Sequence, residues 1–335
     1  VLFSRQLSTL IGAGVPIVQG LTILLDQIDN PAFKKVITTV REDIESGTSI
    51  TEALSRHPTV FSELYVNMVR SGELGGILDV ILERLSGYLE AAATLRGKIR
   101  SAMVYPAVIA LVAGGVTAFL VIVVVPAFVK IFEQVGAELP LPTRMLLMFS
   151  NFLKHYIIFI IIGLIVFVVG LRQYYKTEAG SMHIDTMLLR VPIFGPLLRK
   201  VAVAKFTRTL GTLVKSGVPI LQALETVAKT SGNRVIEKAV LAAKEAIRGG
   251  ERISEPLKES GAFPPMVIQM ISVGEETGNL DAMLSKIAEF YEQEVDAAVS
   301  ALTSMIEPVV IVFMGIIIGA IAISMYMPMF QLGAL

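Results

Sequence analysis

Phe3-Ser-Arg-Gln-Leu-Ser-Thr-Leu-Ile-Gly-Ala-Gly-Val-Pro-Ile17 returns two hundred residues later as Phe206-Thr-Arg-Thr-Leu-Gly-Thr-Leu-Val-Lys-Ser-Gly-Val-Pro-Ile220. Over Phe3–Leu21 eleven of nineteen positions are identical to the second copy, far beyond chance for a self-comparison. The match continues outward from there. Asn30 pairs with Asn233 and Gly47 with Gly250, while Ile50, Glu52 and Leu54 pair with Ile253, Glu255 and Leu257. After a slip of one residue, Gly72-Glu73, Gly76 and Asp79 pair with Gly274-Glu275, Gly278 and Asp281. Pro106 pairs with Pro308, and Pro126-Ala-Phe128 with Pro328-Met-Phe330. The chain is two copies of one unit.

Each unit ends in a stretch without charge. Ser101–Val129 carries none, and neither does the run from Pro308 to the C-terminus. Both exceed the ~20 residues that a helix needs to cross a bilayer. Tyr156–Leu171 is a third, shorter run, with Tyr174 and Tyr175 as interfacial anchors. Residues 101–174 and 301–335 hold seven of the 58 charged side chains, so the 17% charged average describes neither part of the chain. The mean hydropathy of +0.68 excludes a purely soluble protein. A net charge of zero argues against nucleic acid as a partner.

Arg96, Lys98 and Arg100 precede the first run, and Arg172, Lys176, Arg190, Arg199 and Lys200 follow the middle one. Excess positive charge marks the cytoplasmic side. The expected path has a cytoplasmic N-terminus and a periplasmic C-terminus. The expected fold is all-α: a polytopic membrane protein with two repeated cytoplasmic helical bundles and three transmembrane helices. Its segments are a cytoplasmic domain at 1–100, a span at 101–130, a short periplasmic loop at 131–154 and a span at 155–173. A second cytoplasmic domain at 174–300, a span at 301–330 and a periplasmic tail at 331–335 complete it. The repeats run parallel, unlike the inverted repeats of many transporters. Residues 1–30 lack the layout of a secretion signal. The chain opens on Val1, as a trimmed or mature form would.

Local signals inside the domains are helical. Asn30-Pro31 reads as an N-cap with proline at the first helical position, Gly47 as a helix stop, and Ser49-x-x-Glu52 as a capping box. Leu7, Leu10 and Ile11 recur at helical spacing. Five or six short helices per domain are expected, the last continuing into the membrane.

The chemistry-bearing motifs are missing. Gly97-Lys98 has Ala92 where a phosphate loop needs its first glycine. His57, His155 and His183 lack metal spacing, and no Gly-x-Ser-x-Gly elbow occurs. With no cysteine, thiolate chemistry is excluded. No enzyme and no cofactor are expected.

The residues singled out are packing or partner sites. Glu307 sits at the mouth of the last span, as an interfacial carboxylate or as the receiver of a partner's charge. Gly315-x-x-x-Gly319, with Gly114-Gly115, permits close helix approach, within the chain or to a partner. Gly72, Gly76, Gly274 and Gly278 are turn glycines, or else they place Glu73, Asp79, Glu275 and Asp281 on a cytoplasmic docking face. Those carboxylates are read as solvated or capping helices in preference to holding a cation.

The Phe3, Arg5, Ala13-Gly14-Val-Pro motif and its copy with Arg208 and Gly217 resemble the tandem domains of the type II secretion F protein and type IV pilus PilC family. So do Gly274-Glu-Glu-Thr-Gly-Asn-Leu280, Met305-Ile-Glu-Pro308 and Met325-Tyr-Met-Pro-Met-Phe330. Ala137-Glu-Leu-Pro140 and Ala204–Leu210 lean toward the pilus branch. The resemblance implies an inner-membrane platform coupling a hexameric secretion ATPase to pilin or pseudopilin transmembrane helices. It further implies contacts with other inner-membrane assembly proteins and membrane lipids, and a homo-oligomer. A generic membrane-tethered scaffold and a transporter component are the alternatives outside the family.

Overall fold

The computed structural model describes residues 1–134, 140–192 and 194–332. Among them it has fifteen α-helices and no strand. They form two compact units, Val1–Lys98 with Met182–Asp296, and Ile99–Ser181 with Ala297–Leu335.

The first unit holds both repeats, each of six helices. Repeat 1 has α1 (Leu2–Gly12), α2 (Ile17–Leu25), α3 (Pro31–Glu45), α4 (Ile50–Ser55), α5 (Glu63–Gly75) and the start of α6 (Leu78–Phe119). A π-helical turn at Leu120–Val124, α7 (Val125–Gln134), α8 (Leu141–Tyr175) and α9 (Glu178–Arg190) come next. Repeat 2 has α10 (Phe194–Lys215), α11 (Ile220–Thr230), α12 (Arg234–Arg248), α13 (Ser254–Glu259), α14 (Pro265–Thr277) and the start of α15 (Leu280–Leu332).

The same residues start the same helices in both copies. Asn30 Oδ1 accepts from the N–H groups of Ala32 and Phe33 at 3.0 and 3.1 Å; Asn233 Oδ1 accepts from Val235 and Ile236 at 2.9 and 3.2 Å. Each satisfies N–H groups that have no partner within the helix. Gly14 and Gly217 close α1 and α10 at φ of 82° and 78°, a conformation that side chains with a Cβ rarely adopt. Half of the capping box forms: Ser49 Oγ accepts from Glu52 N at 3.2 Å, while the Glu52 carboxylate pairs with Arg56 at 2.8 Å. One continuous apolar core runs through the unit, from Leu21, Ile37 and Met68 in repeat 1 to Phe206, Leu224 and Ile271 in repeat 2.

Among the described residues three helices are long and apolar enough to cross a membrane, Leu78–Lys130, Leu141–Tyr175 and Leu280–Met327, and the second unit holds their apolar parts. Val121, Val125 and Ile321 pack together with Leu146, Leu153 and Ile317. The π-turn leaves one carbonyl to be satisfied from another helix. In that pattern the carbonyl of Val121 would accept from residue 126, which is a proline without an N–H. The buried Ser150 hydroxyl donates to that carbonyl instead, at 2.6 Å. The segment expected as a loop at 131–154 is helical at both ends: residues 131–134 finish α7. Residues 141–154 are the first turns of α8, which Pro140 and Pro142 open with backbone angles already suited to a helix start. Ala137, Glu138 and Leu139 lie outside the described residues, as do 333–335.

Candidate functional site

The residues singled out in the sequence fall into three structural groups, and the first is an arginine clamp built once per repeat. In repeat 1, Arg5 on α1 forks onto Glu90 of α6 through Nε and Nη2, both at 2.6 Å, and its Nη1 reaches Glu83 at 2.8 Å. Ser8 Oγ donates to the other oxygen of Glu83 at 3.0 Å. In repeat 2, Arg208 forks onto Glu292 at 2.8 and 2.7 Å. Paired donors matched to a carboxylate fix geometry as well as charge, so each clamp sets its first helix against its last. The hydrogen bonds from Arg5 hold Glu83 and Glu90 below the usual carboxylate range. Glu292 raises the Arg208 guanidinium further above its ordinary value, although burial opposes this.

The second group is the acidic turn. Gly76 and Gly278 end α5 and α14 at φ of 65° and 72°. Gly72 and Gly274 are where the next helix crosses. A Cβ on Gly72 would lie 2.9 Å from Ile81 Cγ1, and one on Gly274 would lie 3.0 Å from Leu280 Cα. Glu73 and Glu275 do not reach outward. Glu73 accepts from the N–H groups of Ile50 and Thr51 at 2.8 and 3.0 Å and from the Thr51 hydroxyl at 2.5 Å. Glu275 accepts from the N–H groups of Ile253 and Ser254, the latter at 3.1 Å. Each carboxylate thus caps the short helix α4 or α13. Burial pushes the Glu73 carboxyl up, but the bonds from Thr51 and Ile50 outweigh it and hold the group below its ordinary value. Asp79 is exposed and Asp281 half-buried, each in the first turn of its helix, where the helix dipole favours a negative charge.

The third group lies in the long apolar helix α15. Glu307 is exposed there, and nothing among the described residues lies within 4 Å of a Cβ built on Gly315 or Gly319. The same holds for Gly114 and Gly115.

The sequence reading missed the contact between the repeats. Asn67 on α5 is 6% exposed; its Nδ2 donates to Thr226 Oγ1 and its Oδ1 accepts from Gln222 Nε2, both at 2.9 Å. Lys229 pairs with Glu63 at 2.9 Å. The Tyr88 hydroxyl meets Thr209 Oγ1 at 3.2 Å, Arg84 donates to the carbonyl of Lys215, and Lys98 pairs with Asp296. Burial pushes the Tyr88 phenol up, against the pull of its bond to Thr209. A usable signal existed: aligning the copies puts Glu90 opposite Glu292 but Asn67 opposite Gln269 and Thr226 opposite Ile23. Of the side chains named at this contact only Gln222 recurs in the other copy, as Gln19.

Two extramembrane repeats and three apolar helices define a multi-pass membrane protein built on a duplicated helical domain. A family model described as type II secretion system protein F matches residues 3–126 and again 206–328. The chain belongs to that family. It is 49% identical over 330 residues to the type IV pilus assembly protein PilC of Myxococcus xanthus, covering 98% of this chain and 79% of that protein. Identity to the PilC of Thermus thermophilus is 47% over 332 residues, with 99% and 82% covered. The type II secretion system protein F of Xanthomonas campestris pv. campestris is 34% identical over 330 residues, with 98% and 82% covered.

Proposed function

We propose that this chain is the inner-membrane platform of a type IV pilus machine, with a type II secretion machine as the nearest variant. The observation that carries the reading is the family's domain matching twice, once over each repeat and into the span that follows it. The stronger identity to proteins named for pilus assembly, 49% and 47% against 34% for a secretion F protein, favours the pilus branch. The paired repeats face the cytoplasm, where a hexameric secretion ATPase engages them. The spans meet the apolar helices of pilin or pseudopilin subunits as these leave the bilayer, with membrane lipids and other inner-membrane assembly proteins around them. The C-terminus is periplasmic. The chain acts as a coupler and not as an enzyme, and it works as a homo-oligomer.

Two features support mechanical coupling. The repeats share one apolar core, so a push on either is carried by both. The spans offer apolar side chains to their surroundings, among them Leu111 at 77% exposure, Val309 at 65% and Ile316 at 66%, as lipid or an incoming subunit helix requires. The test is complementation of a deletion strain by Gly14→Pro and Gly217→Pro, which break the turns after α1 and α10. Filament number and recovery of the ATPase with the platform are both expected to fall at least about tenfold, since each turn needs a positive φ. Normal filaments with normal ATPase recovery would overturn the reading.

A further inference from the structure

The repeats touch through unlike faces. Repeat 1 offers one side of α5 and α6, with Asn67, Arg84 and Tyr88; repeat 2 offers one side of α10 and α11, with Thr209, Gln222 and Thr226. Equivalent positions differ by 203 residues as far as α4 and by 202 from α5 onward. By that shift, the partner of Asn67 is the counterpart of Ile23 and not of Asn67 itself. The contact is therefore heterologous, and a heterologous contact leaves one copy of each face unused. Unused on repeat 2 is the α14 and α15 face, where Gln269, Lys286 and Phe290 take the places of Asn67, Arg84 and Tyr88. Unused on repeat 1 is the α1 and α2 face, where Gln6, Gln19 and Ile23 take the places of Thr209, Gln222 and Thr226.

Burial follows the same division. Asn67 is 6% exposed, and Thr209 and Thr226 are fully buried. Gln19 and Gln269 are exposed, Ile23 is 37% exposed and Phe290 44%. Met266 and Val273, on the same helix as Gln269, are 36% and 48% exposed. Apolar side chains grouped in this way on an extramembrane domain mark an interaction surface.

The two unused faces keep the amide pair and the cation beside a helix end, and turn apolar at Ile23 and Phe290, which replace Thr226 and Tyr88. Asn67 and Gln222 form an amide pair inside the chain, and Gln269 and Gln19 are again two amides. Arg84 donates a hydrogen bond to the carbonyl of Lys215, the last residue of α10. Lys286 is a cation at the Arg84 position, and Gly12 is the last residue of α1. The aromatic ring is kept as well, with Phe290 for Tyr88.

We propose that the α14 and α15 face of one chain receives the α1 and α2 face of a second copy. The head-to-tail contact that joins the repeats within a chain is thereby repeated between chains. The proposal rests on the self-association stated above and adds its faces and its polarity. A contact of this polarity closes into a ring or continues as an open array, and does not form a two-fold pair.

The cysteine-free chain allows a direct test. Ile23→Cys and Gln269→Cys are placed in separate full-length chains, co-expressed, and oxidised in native membranes with copper phenanthroline. Only the mixed pair is expected to yield a cross-linked dimer, at least about tenfold above either variant alone, since a disulfide needs its Cβ atoms within about 4.5 Å. Gly12→Cys with Lys286→Cys, bridged by a bifunctional thiol cross-linker because the contact it copies spans an arginine side chain, is a second, independent mixed pair with the same expectation. Asn67→Cys with Thr226→Cys in one chain is the internal control, and should close within the chain without a dimer. Dimers from either variant alone would mean a two-fold contact and overturn the proposal. So would absence of both mixed dimers while native mass measurement still shows an oligomer, which leaves the self-association standing. A monomer by that measurement would overturn both.

Discussion

The two arginine clamps are the same device in different surroundings. Arg5 and Arg208 each fork onto a glutamate of the last helix of their repeat. Repeat 1 adds Glu83, with Ser8 beside it; repeat 2 has Ser285 and Gly211 at those positions. The loss of bulk is where repeat 1 comes across. Arg84, Gly87, Tyr88 and Ala91 line a cleft of about 180 Å³ whose other wall includes Arg208, Gly211 and Ser285. Residues that the copies share hold each fold together, and residues that differ govern which face meets which. A duplicated domain can thus become an asymmetric pair without changing its fold.

Breaking a shared position should cost most. Gly274→Leu drives a side chain into Leu280 and Met283, and is expected to destabilise the extramembrane unit by about 3 kcal/mol, read as a lowered denaturation midpoint in detergent. Gly315→Leu, in open surroundings, should leave that midpoint unchanged. Glu73→Ala removes the acceptor of two backbone N–H groups at the start of α4, for an expected loss of about 2 kcal/mol. Hydrogen exchange of α4 should quicken ahead of the other helices.

A smaller effect than that of Gly274→Leu or Glu73→Ala is expected at a position where the copies differ. Glu83→Ser gives repeat 1 the residue of repeat 2. Because Glu83 and Glu90 sit below their unfolded values, the folded chain binds fewer protons there. Their stabilisation is present above the ordinary carboxylate range, near pH 4 to 5, and is lost as pH falls through the folded value. Melting temperature followed from pH 7 to pH 3 should fall less steeply in Glu83→Ser than in the parent chain. An unchanged slope would mean that the repeat 1 clamp does not contribute.

Much of this was legible in the sequence, for physical reasons that can be named. The duplication, the apolar runs and the asparagine caps are local patterns, and local hydrogen bonding or burial decides them. The partners of Arg5 lie 78 and 85 residues away, and helical periodicity says nothing about what crosses an interface. Glu73 could be imagined on a docking face because no local signal ties it to Ile50 and Thr51, 23 and 22 residues earlier. Charge and apolar run length place a loop before Tyr156 but carry no information on its backbone, and Pro140 and Pro142 open a helix there.

The coupling role proposed above requires that the two repeats move as one body, and a covalent lock tests this most directly. Asn67→Cys with Thr226→Cys, joined by a short thiol-specific cross-linker in cells whose filaments have been sheared off, fixes the repeats at their hydrogen-bonded contact. Filament regrowth should proceed at the rate of the uncross-linked double variant. Arrest of regrowth on cross-linking, in a chain that still folds and is still recovered with the ATPase proposed as its partner, would contradict the account, because the repeats would then have to part for the machine to turn over.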